Sequence, residues 1–420
     1  MQDILYLTHR IPYPPNKGDK IRSWHLLKHL AQRYRVHLGT FVDDPHDWQH
    51  VDKVKALCGE THFAALHPRS ARLRSLGALA GKRPLTLDYY RNSDLQQWVG
   101  KVIQEQAIER VLVFSSAMAQ FVMEDRQTRR IIDFVDIDSD KWRQYAEKKT
   151  WPMSWLYRRE SRTLLSYERK VAHEFDASLF VSQAEADLFK QLAPESTARI
   201  GFFNNGVDTE YFSPAHEYPN PYSADEAAIV FTGAMDYWPN IDAVQWFAQD
   251  IMPAVLDKYA AARFYVVGSR PTPQVQALAS LAGVRVTGAV PDIRPYLAQA
   301  RIAVAPLRIA RGIQNKVLEA MAMAKPVVAS AQALEGIAAN IGEEALLARD
   351  SSEFITAITS LLQYPQDNIG HAARARVVAD YTWEHNLERV DELLAPEVTL
   401  RSTATASPPV TLTTAGAMHE

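Results

Sequence analysis

The apolar positions along this 420-residue chain recur in two rhythms. Short runs rich in Ile, Val, Leu and Phe read as buried strands: 4–8 (ILYLT), 36–42 (VHLGTFV), 61–66 (THFAAL), 110–116 (RVLVFSS), 130–137 (RIIDFVDI) and 177–182 (ASLFVS). Amphipathic stretches lie between them; IRSWHLLKHLAQRY places Trp24, Leu27 and Leu30 at helical spacing. Apolar strands alternating with helices predict a parallel sheet covered on both faces. The periodicity breaks at 204–214 (NNGVDTEYFSP), and a polar stretch rich in Pro, Asn and Tyr runs on to Ala224, which predicts a linker. The rhythm then restarts with strand runs at 228–233, 262–268, 284–288, 301–307 and 326–330, and helical stretches at 351–363, 367–380 and 383–394 close the unit. After Pro396 large apolar groups are too few to build a core. The pattern predicts two doubly wound α/β domains, 1–215 and 216–395, and a disordered tail at 396–420. Such domains bind ligands beyond the carboxyl ends of their strands, and two of them facing each other make an interdomain cleft.

Composition narrows the function. The chain is 47% apolar and 23% charged, enough for two full cores, and its net charge of −3 argues against a nucleic-acid binder. No run approaches the roughly 18 to 20 apolar residues that span a bilayer. The N-terminal MQDILYLTHRIPYPP reads as a strand with Asp3 in it, not as a signal peptide. A single cysteine, Cys58, leaves no internal disulfide and no cysteine-based zinc cluster, so the expected location is cytoplasmic. No strand is followed by G-x-G-x-x-G, which speaks against a nicotinamide dehydrogenase.

The densest chemistry lies in Pro306–Ser330, PLRIARGIQNKVLEAMAMAKPVVAS. A strand ends at Pro306, a loop carries Arg308, Arg311 and Gly312, and a helix begins near Ile313. A helix N-terminus after a glycine-containing loop offers free N–H groups and the positive end of the helix dipole, which suits phosphate. Lys316 and Glu319 are three apart and share a face. The lysine is placed for a diphosphate, and the carboxylate, with two acceptor oxygens, for a ribose diol. Asn315 and Gly233, the latter ending the 228–233 strand, are taken with them as donor-binding positions. The competing reading is a surface salt bridge with Arg308 and Arg311 as solvated charge. In the first domain, NKGDKIR puts Gly18 in the first strand–helix loop, where backbone can approach a ligand or simply turn. DFVDIDSD places Asp136, Asp138 and Asp140 at a strand's carboxyl end, to orient an acceptor hydroxyl or to cap a helix. Residues 141–170 carry a net charge of +6 with Trp142, Trp151, Met153, Trp155 and Tyr157 interleaved. That composition suits an anionic membrane surface, or a long helix packing its aromatics inward.

Together NNGVDTEYF, FTGAMDYWPNIDAV, TGAVPDIRPYLAQARIAVAPL and GIQNKVLEAMAMAKPVVAS resemble the nucleotide-sugar-dependent glycosyltransferases of family 4, which have the GT-B fold. LYLTHRIPYPPNKGDKIRSWHLLKHLA and DFVDIDSDKWRQYAEKK narrow the likeness to the glycosyltransferases associated with PEP-CTERM/exosortase exopolysaccharide loci. The likeness covers about residues 1–395. It implies two Rossmann-like domains, a nucleotide-diphosphate sugar on the second, and a hydroxyl acceptor, lipid-linked or oligosaccharide, on the first. It also implies retention of anomeric configuration, no cofactor and no metal; the D-x-D spacing at 136–138 belongs to a different glycosyltransferase fold. Glu319 matches the family carboxylate at the donor ribose, and Lys316 the diphosphate contact.

Three departures from that family matter. A second glutamate is common eight positions before the first, where this chain has Arg311. Relatives carry Arg and Lys after the 228–233 strand, where this chain has Met235, Asp236, Tyr237 and Trp238. A first-domain histidine is often near the donor, where VFSSAMAQF offers Ser115 and Ser116. Lys316, Arg311 and Arg308 are therefore expected to carry the positive charge, with Lys316, Arg311 and Asp138 as the catalytic candidates. Two other functions share the fold: a nucleotide-sugar 2-epimerase, needing no acceptor, and a non-catalytic sugar-nucleotide-binding protein. The expected setting is the cytoplasm, with peripheral contact at the inner membrane face through 141–170.

Overall fold

The computed structural model describes residues 1–395 apart from Asn16, Lys82, Lys148 and Arg311. The tail expected at 396–420 and the candidate Arg311 lie outside the described residues. Among the described residues the chain forms two parallel sheets. The first has strands β1 (Gln2–Thr8), β2 (Tyr34–Val42), β3 (Thr61–Ala65), β4 (Arg110–Phe114), β5 (Arg129–Val135), β6 (Ala177–Phe180) and β7 (Ile200–Phe202), in the order β3-β2-β1-β4-β5-β6-β7. The second has β8 (Ala227–Thr232), β9 (Ala262–Val267), β10 (Val284–Gly288), β11 (Ile302–Ala305), β12 (Val327–Ala329) and β13 (Leu346–Leu347), in the order β10-β9-β8-β11-β12-β13. In both sheets the order reverses beside the first strand, which leaves a crevice at the carboxyl ends there.

The strand side chains explain the layering. In β1, Leu5 and Leu7 join one core while Ile4 and Tyr6 join another; in β4, Val111 and Val113 part from Leu112 and Phe114 in the same way. Alternate residues point to opposite faces of a strand, so the first sheet is buried on both sides by helices. The second sheet is wrapped by one continuous core that includes Ile229, Phe231, Phe264, Val266 and Val304.

The helix Trp383–Leu394 corrects the expected domain boundary. Its Trp383, Leu387, Val390 and Leu394 pack into a core of the first lobe, although the sequence rhythm assigns them to the second. His25 stacks on Trp383 at 4.4 Å, His29 pairs with Asp391 at 2.9 Å, and Arg110 donates to the Leu394 carbonyl at 2.7 Å. A second tie is wholly buried. Arg22, from the helix Gly18–Arg33, reaches both oxygens of Asp133 on β5 at 2.7 and 3.2 Å. It also bonds the Phe203 carbonyl and Asn205 Oδ1, fixing the start of the linker to the first sheet.

Candidate functional site

Strand β8 delivers the chain at Gly233 into the turn before the helix Trp238–Trp246. A Cβ on Gly233 would stand 2.7 Å from Asn240 Nδ2 and 3.3 Å from Lys316 Nζ, so only glycine lets these groups converge. Lys316 lies in the first turn of the helix Asn315–Ala322 and donates to Asn240 Oδ1; its ammonium is 4.4 Å from the Phe231 ring centre. Asn240 is held in turn by a 2.9 Å bond to the Ala234 carbonyl. Gly312, at φ +66°, leads toward a helix that begins without a side-chain cap; the Val317 N–H bonds the Gln314 carbonyl at 2.9 Å, and the N–H groups of Asn315 and Lys316 before it face the helix start. Burial pushes the Lys316 ammonium down to about 7 against the pull of Glu319, and pushes the Glu319 carboxyl up to about 7 against the pull of Lys316. A desolvated lysine at an uncapped helix start is a site that gains from an anion. Beside Glu319 stands Tyr211, 45% exposed, with the Arg294 guanidinium 3.8 Å above its ring.

The remaining donor-side candidates divide. Asn315 is the first residue of the helix that carries Lys316, next to the N-cap Gln314. Arg308 is engaged by Asp242: its Nε and Nη2 reach the two carboxylate oxygens at 2.9 and 2.5 Å, and the guanidinium lies 5.3 Å from the Trp246 ring. The structure thus holds Arg308 in an exposed ion pair with Asp242, neither a lone solvated charge nor free for a phosphate, and Lys316 is left as the described cation beside Gly233.

The first lobe has a cavity of about 590 Å³ at the carboxyl ends of β1, β4 and β5. Asp136 and Asp138 line it, and both carboxylates are met by Lys141 Nζ, at 2.8 and 3.4 Å. Asp138 also accepts from Ser116 Oγ at 3.3 Å, while the backbone N–H of Ser139 goes to Glu168, whose buried carboxyl is pushed up to about 8 by burial and by Asp138. Lys141 joins the two aspartates. Among the described residues no group of three His, Cys, Asp or Glu is placed to hold a metal ion. Asp140 instead pairs with Arg143 and Gln144, and Gly18 opens the Gly18–Arg33 helix with nothing within 4 Å of its Cβ position.

His9 is the residue that sequence reasoning passed over. It follows β1 directly, lines the cavity, and stacks parallel to Phe114 with ring centres 5.8 Å apart. Its Nε2 is 3.3 Å from Asp19 Oδ2, and Arg10 holds the same oxygen at 2.6 Å while bonding Asp43. Burial works to raise the Asp19 pKa, but His9 and Arg10 outweigh it and hold the carboxyl well below its usual range. In a neutral His9 imidazole, the hydrogen bond to Asp19 makes Nε2 the protonated nitrogen and Nδ1 the acceptor. That atom is buried and has no hydrogen-bond partner among the described residues. Backbone strain collects on the same wall: Ser115 at φ +79° and Val135 at φ +70° end β4 and β5. The signal available in the sequence was the pair His9–Arg10 at a strand end with Asp19 ten positions after His9.

The aromatic, basic stretch forms two helices, Asp138–Glu147 and Met153–Glu174. Trp142 and Tyr157 face the cavity, whereas Tyr145, Trp151, Met153 and Trp155 are 52, 80, 40 and 51% exposed. No helix among the described residues is long and apolar enough to cross a membrane.

Residues 226–364 match the family described as Glycosyl transferases group 1. No curated protein matches the chain. Among solved structures, sucrose-phosphate synthase from Thermosynechococcus elongatus superposes with a TM-score of 0.65 at 18% identity, over 94% of this chain and 98% of that one. Anabaena HepE in complex with UDP gives 0.62 at 16% over 94% and 99%. WaaG, a glycosyltransferase involved in lipopolysaccharide biosynthesis, gives 0.62 at 13% over 94% and 100%. At these identities the superpositions establish the GT-B fold.

Proposed function

We propose that this GT-B glycosyltransferase, whose residues 226–364 are a group 1 domain, moves a sugar from a nucleotide-diphosphate donor to a hydroxyl of a lipid-linked saccharide. The observation that carries the donor assignment is the cluster of Gly233, Asn240 and Lys316 at an uncapped helix start, with Glu319 one turn further along. Lys316 and the helix N–H groups take the diphosphate, Glu319 accepts from the ribose hydroxyls, and Tyr211 with Arg294 offers a flat surface nearby for the base. The HepE complex with UDP supports a nucleoside diphosphate as the ligand class. Transfer is favoured over epimerisation by the first-lobe cavity, since an epimerase has no need of an acceptor site.

In this reading the acceptor hydroxyl enters the cavity that His9, Asp136 and Asp138 line and keeps its proton until it attacks. The oxygen attacks the anomeric carbon on the face from which the diphosphate leaves. The carbon–phosphate oxygen bond breaks, and the hydroxyl proton passes to the departing phosphate oxygen. Configuration is retained and no metal is needed, because Lys316 and the helix dipole stabilise the charge that develops on the leaving group. The exposed Trp151, Met153 and Trp155, with Lys149 and Arg158 beside them in sequence, suit an anionic membrane surface next to the cavity mouth. The N-terminal string 5–31 and the central string 133–149, which resemble PEP-CTERM/exosortase-associated enzymes, support a place in exopolysaccharide assembly.

Thermal shift of the full chain with UDP-, GDP-, ADP- and dTDP-sugars tests the donor site. One of the four is expected to raise the melting temperature, and Lys316→Gln to abolish the rise. No shift with any of them, or an unchanged shift in the variant, refutes the assignment. Flotation with vesicles containing phosphatidylglycerol tests the surface; binding is expected to be lost in Trp151→Ala/Trp155→Ala, and no binding at low salt removes it.

A further inference from the structure

The first lobe holds a second cavity, of about 670 Å³, away from His9 and within the size range of small-molecule sites. Its chemistry differs from that of the first. Four side-chain amides line it: Asn92, Gln96, Gln97 and Gln120. Gln96 and Gln120 are pinned by their Nε2 atoms to the carbonyls of Phe121, at 2.9 Å, and of Ala117, at 2.8 Å. Their amide oxygens carry no hydrogen bond among the described residues. Fixed amides beside the hydroxyls of Ser93, Thr163 and Ser166 suit a ligand dense in hydroxyl groups. The Tyr167 hydroxyl, also in this wall, is buried and has no hydrogen-bond partner among the described residues. Such an atom is costly to bury unless something bonds to it. Three cations, Arg83, Arg91 and Lys170, and one carboxylate, Glu124, line the cavity; Lys170 is met at 3.8 Å by Glu174, which Arg126 shares at 3.0 Å, so positive charge is in excess and suits an acidic ligand. Arg83 is partly met by Asp88 at 3.2 Å, while the Arg91 guanidinium has no ion pair among the described residues.

The two cavities share their walls. The helix Leu85–Tyr89 gives Leu85, Thr86 and Tyr89 to the first and Leu87 to the second. The helix Met153–Glu174 gives Leu156, Tyr157 and Glu160 to the first and Thr163, Ser166 and Tyr167 to the second. At 1.5 Å per residue, Tyr157 and Ser166 are about 14 Å apart along that helix, a span a short oligosaccharide bridges. We propose that the second cavity binds the distal, non-reacting part of an acidic glycan, on the reading that the first cavity holds the end that accepts the new sugar. Binding energy gained there serves to position the reacting hydroxyl.

The test uses the full chain and a galacturonic-acid hexamer, with maltohexaose and tripolyphosphate as comparisons, followed by calorimetry. Arg91→Ala/Gln97→Ala is the variant, because neither side chain bonds within the protein among the described residues and the fold has no stake in them. The acidic hexamer is expected to bind the wild type more tightly than maltohexaose does, and about tenfold more weakly to the variant, the worth of one charge-assisted hydrogen bond. UDP is expected to bind both proteins alike. Equal hexamer binding to the two proteins overturns the proposal. So does no binding to the wild type, or tripolyphosphate competing as strongly as the hexamer, which would make this a phosphate site. Failure of UDP to bind either protein overturns the donor assignment instead, so the two readings fail separately.

Discussion

A diphosphate placed on Lys316, as proposed, makes donor binding depend on pH in one direction. In the free protein burial holds its ammonium down at about 7, against an ordinary value of 10.5. A diphosphate seated at the helix start adds negative charge and lifts that value back up. Between the free and the bound values, binding takes up one proton, so affinity falls by up to about tenfold per pH unit as pH rises above 7. Below 7 the lysine is charged in both states and this dependence vanishes. Glu319, pushed up to about 7, supports the Lys316 charge; Glu319→Gln moves the break in the profile to lower pH. Lys316→Arg keeps a positive charge throughout and flattens the profile above 7. Calorimetric titration of UDP from pH 6 to pH 9 in the three proteins reads each of these outcomes. A wild-type affinity that stays constant or rises above pH 7, or a Lys316→Arg profile identical to the wild type, refutes the placement of the diphosphate on Lys316. The same shifts act on the free protein. The raised Glu319 value removes stability as pH climbs from 4.5 to 7, and the lowered Lys316 value restores it from 7 to 10.5, which puts a dip near neutrality.

Three further outcomes are expected. Gly233→Ala forces its new methyl against Asn240 Nδ2, displaces the partner of Lys316, and should weaken UDP binding at least about tenfold and lower the melting temperature, read by calorimetry beside a thermal melt. Arg22→Ala leaves the buried Asp133 carboxylate without its partner and should cost about 3–5 kcal/mol, read by urea unfolding; a loss within error of zero would show that the pair does not hold the linker. Glu168 has a carboxyl raised from 4.5 to about 8, so its ionisation removes stability as pH rises between those values; Glu168→Gln, which keeps a bond to Ser139, should melt higher than the wild type at pH 8 and closer to it at pH 5.

Much of this arrangement was legible in the chain itself. Alternation within β1 and β4 comes from local side-chain choice, and glycine and cation spacing in the loop before Asn315 is what points to the proposed phosphate site. What escaped depends on contacts between distant segments. Nothing local marks Asn240 as the anchor of Lys316, 76 positions away, or Asp242 as the partner that engages Arg308. The helix Trp383–Leu394 has an amphipathic pattern that fits either lobe; only its apolar face meeting Leu27, Leu30 and Leu112 assigns it to the first. Strands β7 and β13, three and two residues long, are too short to leave a periodic trace. His9 was overlooked because its role rests on Asp19 and on Phe114, a pairing and a stacking that sequence spacing does not encode.

The account turns on where the diphosphate sits, and a crystal structure of the full chain with UDP answers that most directly. The phosphates are expected within hydrogen-bond distance of Lys316 Nζ and of the backbone N–H groups at the start of the Asn315–Ala322 helix, with the ribose hydroxyls on Glu319. UDP bound elsewhere, with the Lys316–Asn240 contact intact and no phosphate at that helix start, would contradict it.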